Sequence, residues 1–559
     1  MATLVLGPLL RHVDETSATI WVEVADAGTV TVTAGDHVAS ARTFAAHGHH
    51  YALVELEGLA PGSHTPYTVS VGGEALWPEP GSAYPPSVIP TLKPGKPLRM
   101  AFGSCRVSVP HDDAGTQAFG VDALRAYALH MAGGDADKWP DLVLFLGDQV
   151  YADETSEEMR DFIASRRSLD EPPGEELKDY EEYAHLYRIA WSDPANRWLL
   201  STLPSAMIFD DHDIRDDWNT SWTWRQQMAA TSWWHDRIVG GLASYWVYQH
   251  LGNLSSADRA DDAMWQRITS HDGEGELDIT GALDDLAEQA DEKADCYRWS
   301  FARDFGDQVR LVVVDSRAAR VLEPDRRSIL DDVEMTWLDD QLQGGFEHVL
   351  VGTSLPFLMA PALHHAEAFS EGLCSGAWGK RAAGVGERLR QAIDLEHWAA
   401  FGQGFRQVAD MVLEVAAGRR GPAPQTITFL SGDVHHSYVA TAWADPAVTA
   451  LRPQSAIVQA VCSPIRNPLP RGMERITSWG ARRPLARVTR RLARSAKVPA
   501  GPLGWQLDRG PWYDNNLAVL EVRPDGGLHL RWSAGDVEGR PSDQPVLRVV
   551  SEVDVPVRR

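Results

Sequence analysis

The sequence predicts an α/β core preceded by an all-β sandwich domain, and three observations carry that prediction. Residues 1–95 alternate apolar and polar residues in short runs such as SATIWVEV, TVTVTAG and HTPYTVSVG, separated by Gly, Asp and Pro. That is the pattern of an antiparallel β-sandwich. From residue 96 onward the pattern changes to continuous apolar runs with helical stretches between them, which is how strands buried on both faces of a sheet read. The runs are PLRMAFGSC, DLVLFLGD, SAMIFDDHD, QVRLVVVDSR, EHVLVGTS and TITFLSGDVHH, and each ends in a polar cluster. Open α/β sheets place their sites beyond the carboxyl ends of the strands, so these clusters are expected to converge.

The two domains are therefore expected at 1–95 and 96–559, joined by the Pro-rich stretch WPEPGSAYPPSVIPTLKPGKP, which reads as a linker without regular structure. Residues 155–200 and 221–295 read as helical, polar insertions. The second holds the acidic run GEGELDITGALDDLAEQADEKAD, expected to be a solvated helix with its loops. Segment 466–497 has the opposite bias, with ten Lys or Arg and one Glu. It reads either as a flap over an anionic substrate or as a basic surface helix paired with the acidic run. The C-terminal LAVLEVRPDGGLHLRWSAG reads as a β-hairpin with a Gly-Gly turn.

Composition narrows the function classes. The chain has 559 residues, 44% of them hydrophobic, enough for a sizeable core. Its 52 Lys and Arg stand against 78 Asp and Glu, a net charge of −26. Such an excess argues against binding to nucleic-acid polymers or to membrane surfaces in general, and favours cations as partners. No apolar run is long enough for a membrane span. Four cysteines without a CxxC pair are not a disulfide framework and suit a reducing compartment. The start MATLVLGPLLRHVDE lacks the basic flank and cleavage site of a signal peptide, so a cytoplasmic location is expected. The oligomeric state stays open at this level.

The chemistry lies at four strand ends. In GDQVYAD, the Asp148 carboxylate is able to bridge two cations, and the Tyr151 phenolate three residues later suits a hard, highly charged ion such as ferric iron. In IFDDHDIRDDWN, Asp210, Asp211, His212, Asp213, Asp216 and Asp217 crowd into eight residues and are hard to keep ionised without a cation. In FLSGDVHHSYVA, Asp433 and His435 are two apart beyond a buried strand, a spacing that suits one metal centre. In AFGSCRVS, Cys105 ends the first core strand and becomes a thiolate candidate in that company. Each has a blander reading as well: a turn Asp with a packed Tyr, a solvated acidic loop, a structural His pair, a small buried hydrophobe. Cys296, Cys374 and Cys462 read as structural.

In combination, the ordered set GSC, LGDQVYAD, DDHD with DDWN, VVVDSR and SGDVHH resembles the alkaline phosphatase D (PhoD-like) family of metallophosphatases, over about residues 97–540, preceded by an immunoglobulin- or fibronectin-like β-domain. The resemblance implies a four-layer, calcineurin-like αββα metallophosphoesterase sandwich with a metal cluster, and phosphomonoesterase or phosphodiesterase activity on a phosphate-ester substrate. Carried over by motif, Cys105 would ligate the first metal, Asp148 would bridge, and Tyr151 would be the phenolate ligand. Asp211 and His212 stand at the Asn and His of the superfamily's GNH motif, Asp210 joins the same acidic set, and Asp433 and His435 fall on the family's GDxH. The further ligand His of many relatives is absent from EHVLVGTSLPF, where Ser354 takes its place. That inclines the second metal towards an oxygen-preferring ion such as calcium. Fe3+ with Ca2+ is the cofactor pair the resemblance suggests.

The mechanism then expected is in-line attack by a metal-bridging hydroxide. His212 would stabilise or protonate the leaving oxygen, and Arg106 and Arg317 would hold phosphate oxygens in a bidentate fork. A phospholipase-type phosphodiesterase on the same scaffold is the alternative within enzymes. From another class, the alternative is a catalytically silent binding protein that uses the β-domain and the Trp-rich helices as its surface.

Overall fold

The computed structural model describes residues 2–392 and 395–555. Two sheets form the N-terminal all-β unit. One runs through Leu4–Val13, Ala18–Val24, His49–Leu56 and Phe44–Ala46, and the other through His37–Arg42, Thr29–Ala34, His64–Val71 and Glu74–Trp77. The alternation in these strands places Leu10, Ile20, Val22 and Val54 of one sheet against Val30, Val32, Tyr67 and Val69 of the other, all buried. Two features depart from the sequence expectation. The Pro-rich stretch is not free of regular structure, because Val88–Pro90 pairs antiparallel with His64–Val71. The acidic insertion also does more than solvate a helix: its Leu277–Asp278 adds a short strand parallel to Phe44–Ala46. The following helix Thr280–Glu292 buries Leu283, Ala287 and Ala290, the 3.6-residue stripe that its acidic composition concealed.

Every continuous apolar run forms a strand of the core, in one of two sheets. In the first core sheet Ser205–Ile208, Leu142–Leu146 and Arg99–Gly103 are parallel, and Asn516–Val522, Leu528–Asp536 and Val546–Val555 extend it antiparallel. In the second, Val309–Val314, His348–Thr353, Thr426–Ser431 and Ala456–Val461 are parallel and adjacent. Phe301–Phe305 flanks them on one side, and Ser437–Ala444 followed by Leu503–Trp512 on the other. The period of two explains why these strands read as continuously apolar. Leu350 and Leu430 belong to the core shared with Leu144 and Leu146 of the first sheet, whereas Val349, Val351, Ile427 and Phe429 belong to the cluster that holds the apolar face of helix Gly402–Ala416. A Cβ at Gly352 would sit 3.2–3.3 Å from the Leu146 and Leu144 side chains, so the sheets approach closely there. Helix Ala123–Ala132 packs on the first sheet. The hairpin Asn516–Val522 and Leu528–Asp536 turns through Gly526, which takes the left-handed φ its lack of a Cβ permits.

The all-β unit is fastened to the helical insertions by buried polar groups. Arg11, fully buried, donates to the carbonyls of Tyr248 (3.2 Å) and Gln249 (2.6 Å) and to Asn253 (3.2 Å). The two acceptor carbonyls lie in a π-helical turn, Trp246–His250. The hydroxyls of Tyr51, Tyr180 and Tyr248 form a chain ending on Glu23, with a 2.9 Å bond from Tyr248. His49 bridges Glu23 (2.8 Å) and Glu181 (2.9 Å).

Candidate metal centre

Each ligand candidate sits just past the last residue of a parallel strand, where the chain turns sharply. Cys105, Asp148, Asp433 and His435 all have left-handed backbone, with φ of 58°, 48°, 65° and 50°. Non-glycine residues adopt this region at a cost, and it clusters where side chains must be aimed. The surroundings enforce it. The Cys105 amide donates to the Gly147 carbonyl (3.3 Å) and that of Arg106 to Asp148 (3.1 Å), tying the first two strand ends together. Ser104 Oγ accepts from the Asp433 amide (3.1 Å), bringing in the second sheet. The approach is so close there that a Cβ at Gly432 would lie 1.9 Å from Ser104 Oγ.

Asp213 organises the acidic turn. One of its oxygens accepts from the amides of both Asp148 and Asp210, at 2.9 Å each, and the other accepts from Gln249 (3.3 Å). Gln249 is in the π-helical turn that Arg11 grips, so a hydrogen-bonded path runs from the all-β unit to the backbone of the candidate ligands. Asp153 of the GDQVYAD motif bonds His212 Nδ1 (2.9 Å) and fixes its ring, which lies against Tyr151 with 4.7 Å between centroids.

Two groups of donor atoms result, each with members within 4.8 Å of one another. One holds Cys105, Asp148 and His435; the other holds Asp148, Asp210 and Asp211. Asp148 is common to both. The Tyr151 hydroxyl is 3.4 Å from the Asp148 carboxylate, and its side chain clusters with Cys105 of the first group. Asp433 is placed differently: its carboxylate bonds His397 (2.9 Å) and lies 3.6 Å from Arg317, while its carbonyl faces the Cys105 thiol. Asp211, His212 and Asp216 form a further grouping at the outer edge.

The two arginines are occupied. Arg317 is fully buried, paired with Asp210, Asp211 (3.2 Å) and Glu396 (2.6 Å) as well as Asp433. Arg106 donates through Nε and Nη2 to Asp122 (3.0 and 2.8 Å) and through Nη1 to the Ala190 carbonyl (2.9 Å). Ser354 Oγ bonds Ser316 Oγ (2.9 Å).

Three residues that lie at no strand end, Glu367, Glu396 and His397, complete the charge arrangement. Glu367, on helix Pro361–Cys374, holds His397 Nδ1 (2.9 Å), whose other nitrogen holds Asp433. Glu396 shares Arg317 with Arg320 (3.1 Å). The only trace of them is the pair Glu396-His397 in LEHW, which follows no strand. Asp153 lay within a motif already noticed.

The donor set fits cations on an observation independent of any motif. Asp148 Oδ1 and Asp210 Oδ2 are buried carboxylate oxygens without a hydrogen-bond partner. Burial first, then neighbouring carboxylates, pushes both groups well above the usual carboxylate range, in Asp210 against the opposing pull of Arg317. Burial, with Asp148 and Asp433 adding to it, also raises the Cys105 thiol. A cation among these groups reverses that cost, because it becomes the largest local charge.

Comparison with known proteins bears on the family and the fold. Residues 1–89 match the model of a domain of unknown function (DUF7800), and residues 116–482, well over half of the chain, match that of the PhoD-like phosphatase. No curated protein matches in sequence. Among solved structures, one described as the structure of PhoD superposes over 98% of this chain and 89% of its own, with a TM-score of 0.57 at 14% identity, which shows a shared fold. A chitinase, ChiW from Paenibacillus, superposes over 81% of this chain and 34% of its own at 10% identity, but its TM-score of 0.17 carries no argument. With strand-end motifs, donor geometry and family model in agreement, the chain belongs to the PhoD-like phosphatase family of phosphoesterase hydrolases.

Proposed function

We propose that this enzyme hydrolyses phosphate esters at two cation sites that share Asp148. The observation that carries the reading is that Asp148 belongs to both donor groups while one of its buried oxygens has no protein partner. Cys105, Tyr151 and His435 with Asp148 offer sulfur, phenolate and nitrogen donors, which suit ferric iron. Asp148, Asp210 and Asp211 offer only oxygen, which suits calcium. When bound, such cations supply Lewis acidity to the phosphoryl group and make water a competent nucleophile near neutral pH.

The protein's own groups supply the rest. His212, its ring fixed by Asp153, donates a proton to the leaving oxygen. Arg317 acts as a positioning residue: shared among four carboxylates, it holds them apart in the register the cations need. Arg106 likewise sets the loop between Cys105 and Asp122 instead of forking onto phosphate. Glu367 and His397 orient Asp433, which borders the first site without facing into it. Around this centre we adopt the calcineurin-like αββα layering and an immunoglobulin- or fibronectin-like type for the first domain.

The test is hydrolysis of p-nitrophenyl phosphate and bis-p-nitrophenyl phosphate, with and without chelator, together with metal analysis of the purified protein. Activity untouched by exhaustive chelation would overturn the reading. The ratio of the two activities separates a monoesterase from a diesterase of the phospholipase type.

A further inference from the structure

The basic segment 466–497 begins at the metal centre. The Arg466 amide donates to the Cys105 carbonyl (3.1 Å), and Asn467 lies beside the Tyr151 hydroxyl. Two helices follow, Arg471–Gly480 and Arg483–Ser495. Both are amphipathic, and both are turned the wrong way for a helix that merely covers a core. In the second, Ala493 (4% exposed) and Ala496 face the protein with half-buried Ala486 and Thr489. Ala496 lies against Gly372 of helix Pro361–Cys374. Leu485, Val488 (53% exposed) and Leu492 face solvent. In the first, Thr477 and Ser478 turn inward to the Tyr513 hydroxyl (2.8 and 2.7 Å), while Met473, Ile476 and Trp479 (60% exposed) face out. Trp378, also exposed, caps this region with a bond to the Ser495 carbonyl (3.1 Å).

Large apolar side chains at helical spacing, left in water while small and polar ones pack inside, require a partner outside the chain. The charges indicate which kind. Arg471, Arg475, Arg482, Arg487, Arg490, Arg491, Arg494 and Lys497 are exposed along the same two helices. Arg490 bonds neutral His365 (3.0 Å), and among the described residues none of these side chains pairs with a carboxylate. A basic helix pair with an outward stripe of Met, Ile, Trp, Leu and Val is the arrangement that lies in a bilayer interface, its apolar stripe below the headgroups and its cations among them. The net charge of −26 does not oppose this, because screening confines each field to about 10 Å at 0.1 M salt and the local cations then decide. A second copy of the chain on the same face would set like charge against like.

We propose that helices Arg471–Gly480 and Arg483–Ser495 dock the enzyme onto an anionic phospholipid surface. Docking would hold the metal centre beside the bilayer, since Arg466 and Asn467 connect the two directly. The inference does not rest on the metal chemistry, and binding is read without activity.

The experiment mixes the full-length protein with extruded vesicles of phosphatidylcholine alone or with a large phosphatidylglycerol fraction, and sediments them. Co-sedimentation is expected with the anionic vesicles at an affinity roughly tenfold or more above the neutral ones, falling about tenfold as salt rises from about 0.1 M to about 1 M. The double variant Val488→Ser, Trp479→Ser should lose this binding while hydrolysing soluble p-nitrophenyl phosphate as before, because both side chains already stand in water. Absence of co-sedimentation, equal binding to both vesicle types, or wild-type binding by the double variant would overturn the proposal. So would self-association of the vesicle-free protein that the same variant abolishes, which would make a second copy the occupant. Capture of an acidic protein without vesicle binding would also overturn it, in favour of a protein partner.

Discussion

The two core sheets meet at one site but bring opposite things to it. The strand ends of the first supply the donors Cys105, Asp148, Asp210 and Asp211, three of them carboxylates buried beyond the reach of water. The strand ends of the second supply Arg317, Asp433 and His435, and the loop after helix Lys380–Ala392 adds Glu396 and His397. One sheet concentrates negative charge; the other orders it and adds a single donor, His435. The difference teaches that a metal centre of this kind needs two kinds of residue: those that give electrons to a cation, and those that keep the givers apart before it arrives.

Substitutions on either side sharpen that contrast. The largest effect is expected for Arg317→Met, which strips the ordering cation from a buried acidic cluster and should cost about 3–5 kcal/mol of stability at neutral pH. Thermal unfolding would show it; an unchanged melting temperature would break the division of labour. On the donor side, Asp148→Asn should leave the melting temperature of the chelated protein near wild type or above it, since it removes a strained charge. It should also lower the turnover of p-nitrophenyl phosphate by roughly 10²–10³-fold. Full activity in that variant would remove Asp148 from the centre. His397→Asn cuts the link between Glu367 and Asp433, and a positioning role predicts a loss of roughly 10–100-fold in activity or metal affinity. The conservative His397→Gln should recover part of it if position, and not charge, is what matters.

The smallest effect belongs to a control outside the comparison, His49 in the joint between the all-β unit and helix Tyr180–Trp191. Burial alone would lower its pKa, but the hydrogen bonds to Glu181 and Glu23 raise it to about 9. A folded-state pKa above the unfolded value of about 6.5 means stability that is fully present below that value and is lost as pH rises through about 9. His49→Gln should therefore cost on the order of 1–2 kcal/mol near pH 6, after allowance for solvent screening, and nothing measurable near pH 10. A cost independent of pH would show that His49 contributes packing only.

Much of this was legible from residue order. The six apolar runs became six parallel core strands because a strand buried on both faces has no polar positions to disguise it. Cys105, Asp148, Asp210, Asp211 and His435, whose donor atoms converge in the structure, stand out in the sequence because each follows such a run. What stayed hidden had other causes. His397 and Glu396 sit in a loop with no strand ahead of it, so only their proximity to Asp433 and Arg317 reveals them. The strand Leu277–Asp278 is two residues long and pairs with a partner more than two hundred residues away, a pairing without local signature. For Arg106, its type and place were consistent with a phosphate fork, but Asp122 had already claimed its guanidinium.

The basic segment shows the same boundary from the other side. Helices Gly402–Ala416 and Arg483–Ser495 are both amphipathic in sequence, yet the first buries Phe405, Val408, Val412 and Leu413 while the second exposes Leu485, Val488 and Leu492. The second of its helices packs against helix Pro361–Cys374 and not against the acidic run.

By itself, the sequence determined the strands, their carboxyl-end chemistry and the existence of amphipathic faces, since these follow from local periodicity and residue type. Only the tertiary structure decided which carboxylates come within reach of one another, which arginines are already paired and which apolar stripe looks outward. Those outcomes depend on distances of a few ångströms between residues hundreds of positions apart, where burial and competing partners set the free energy, and no local pattern records them.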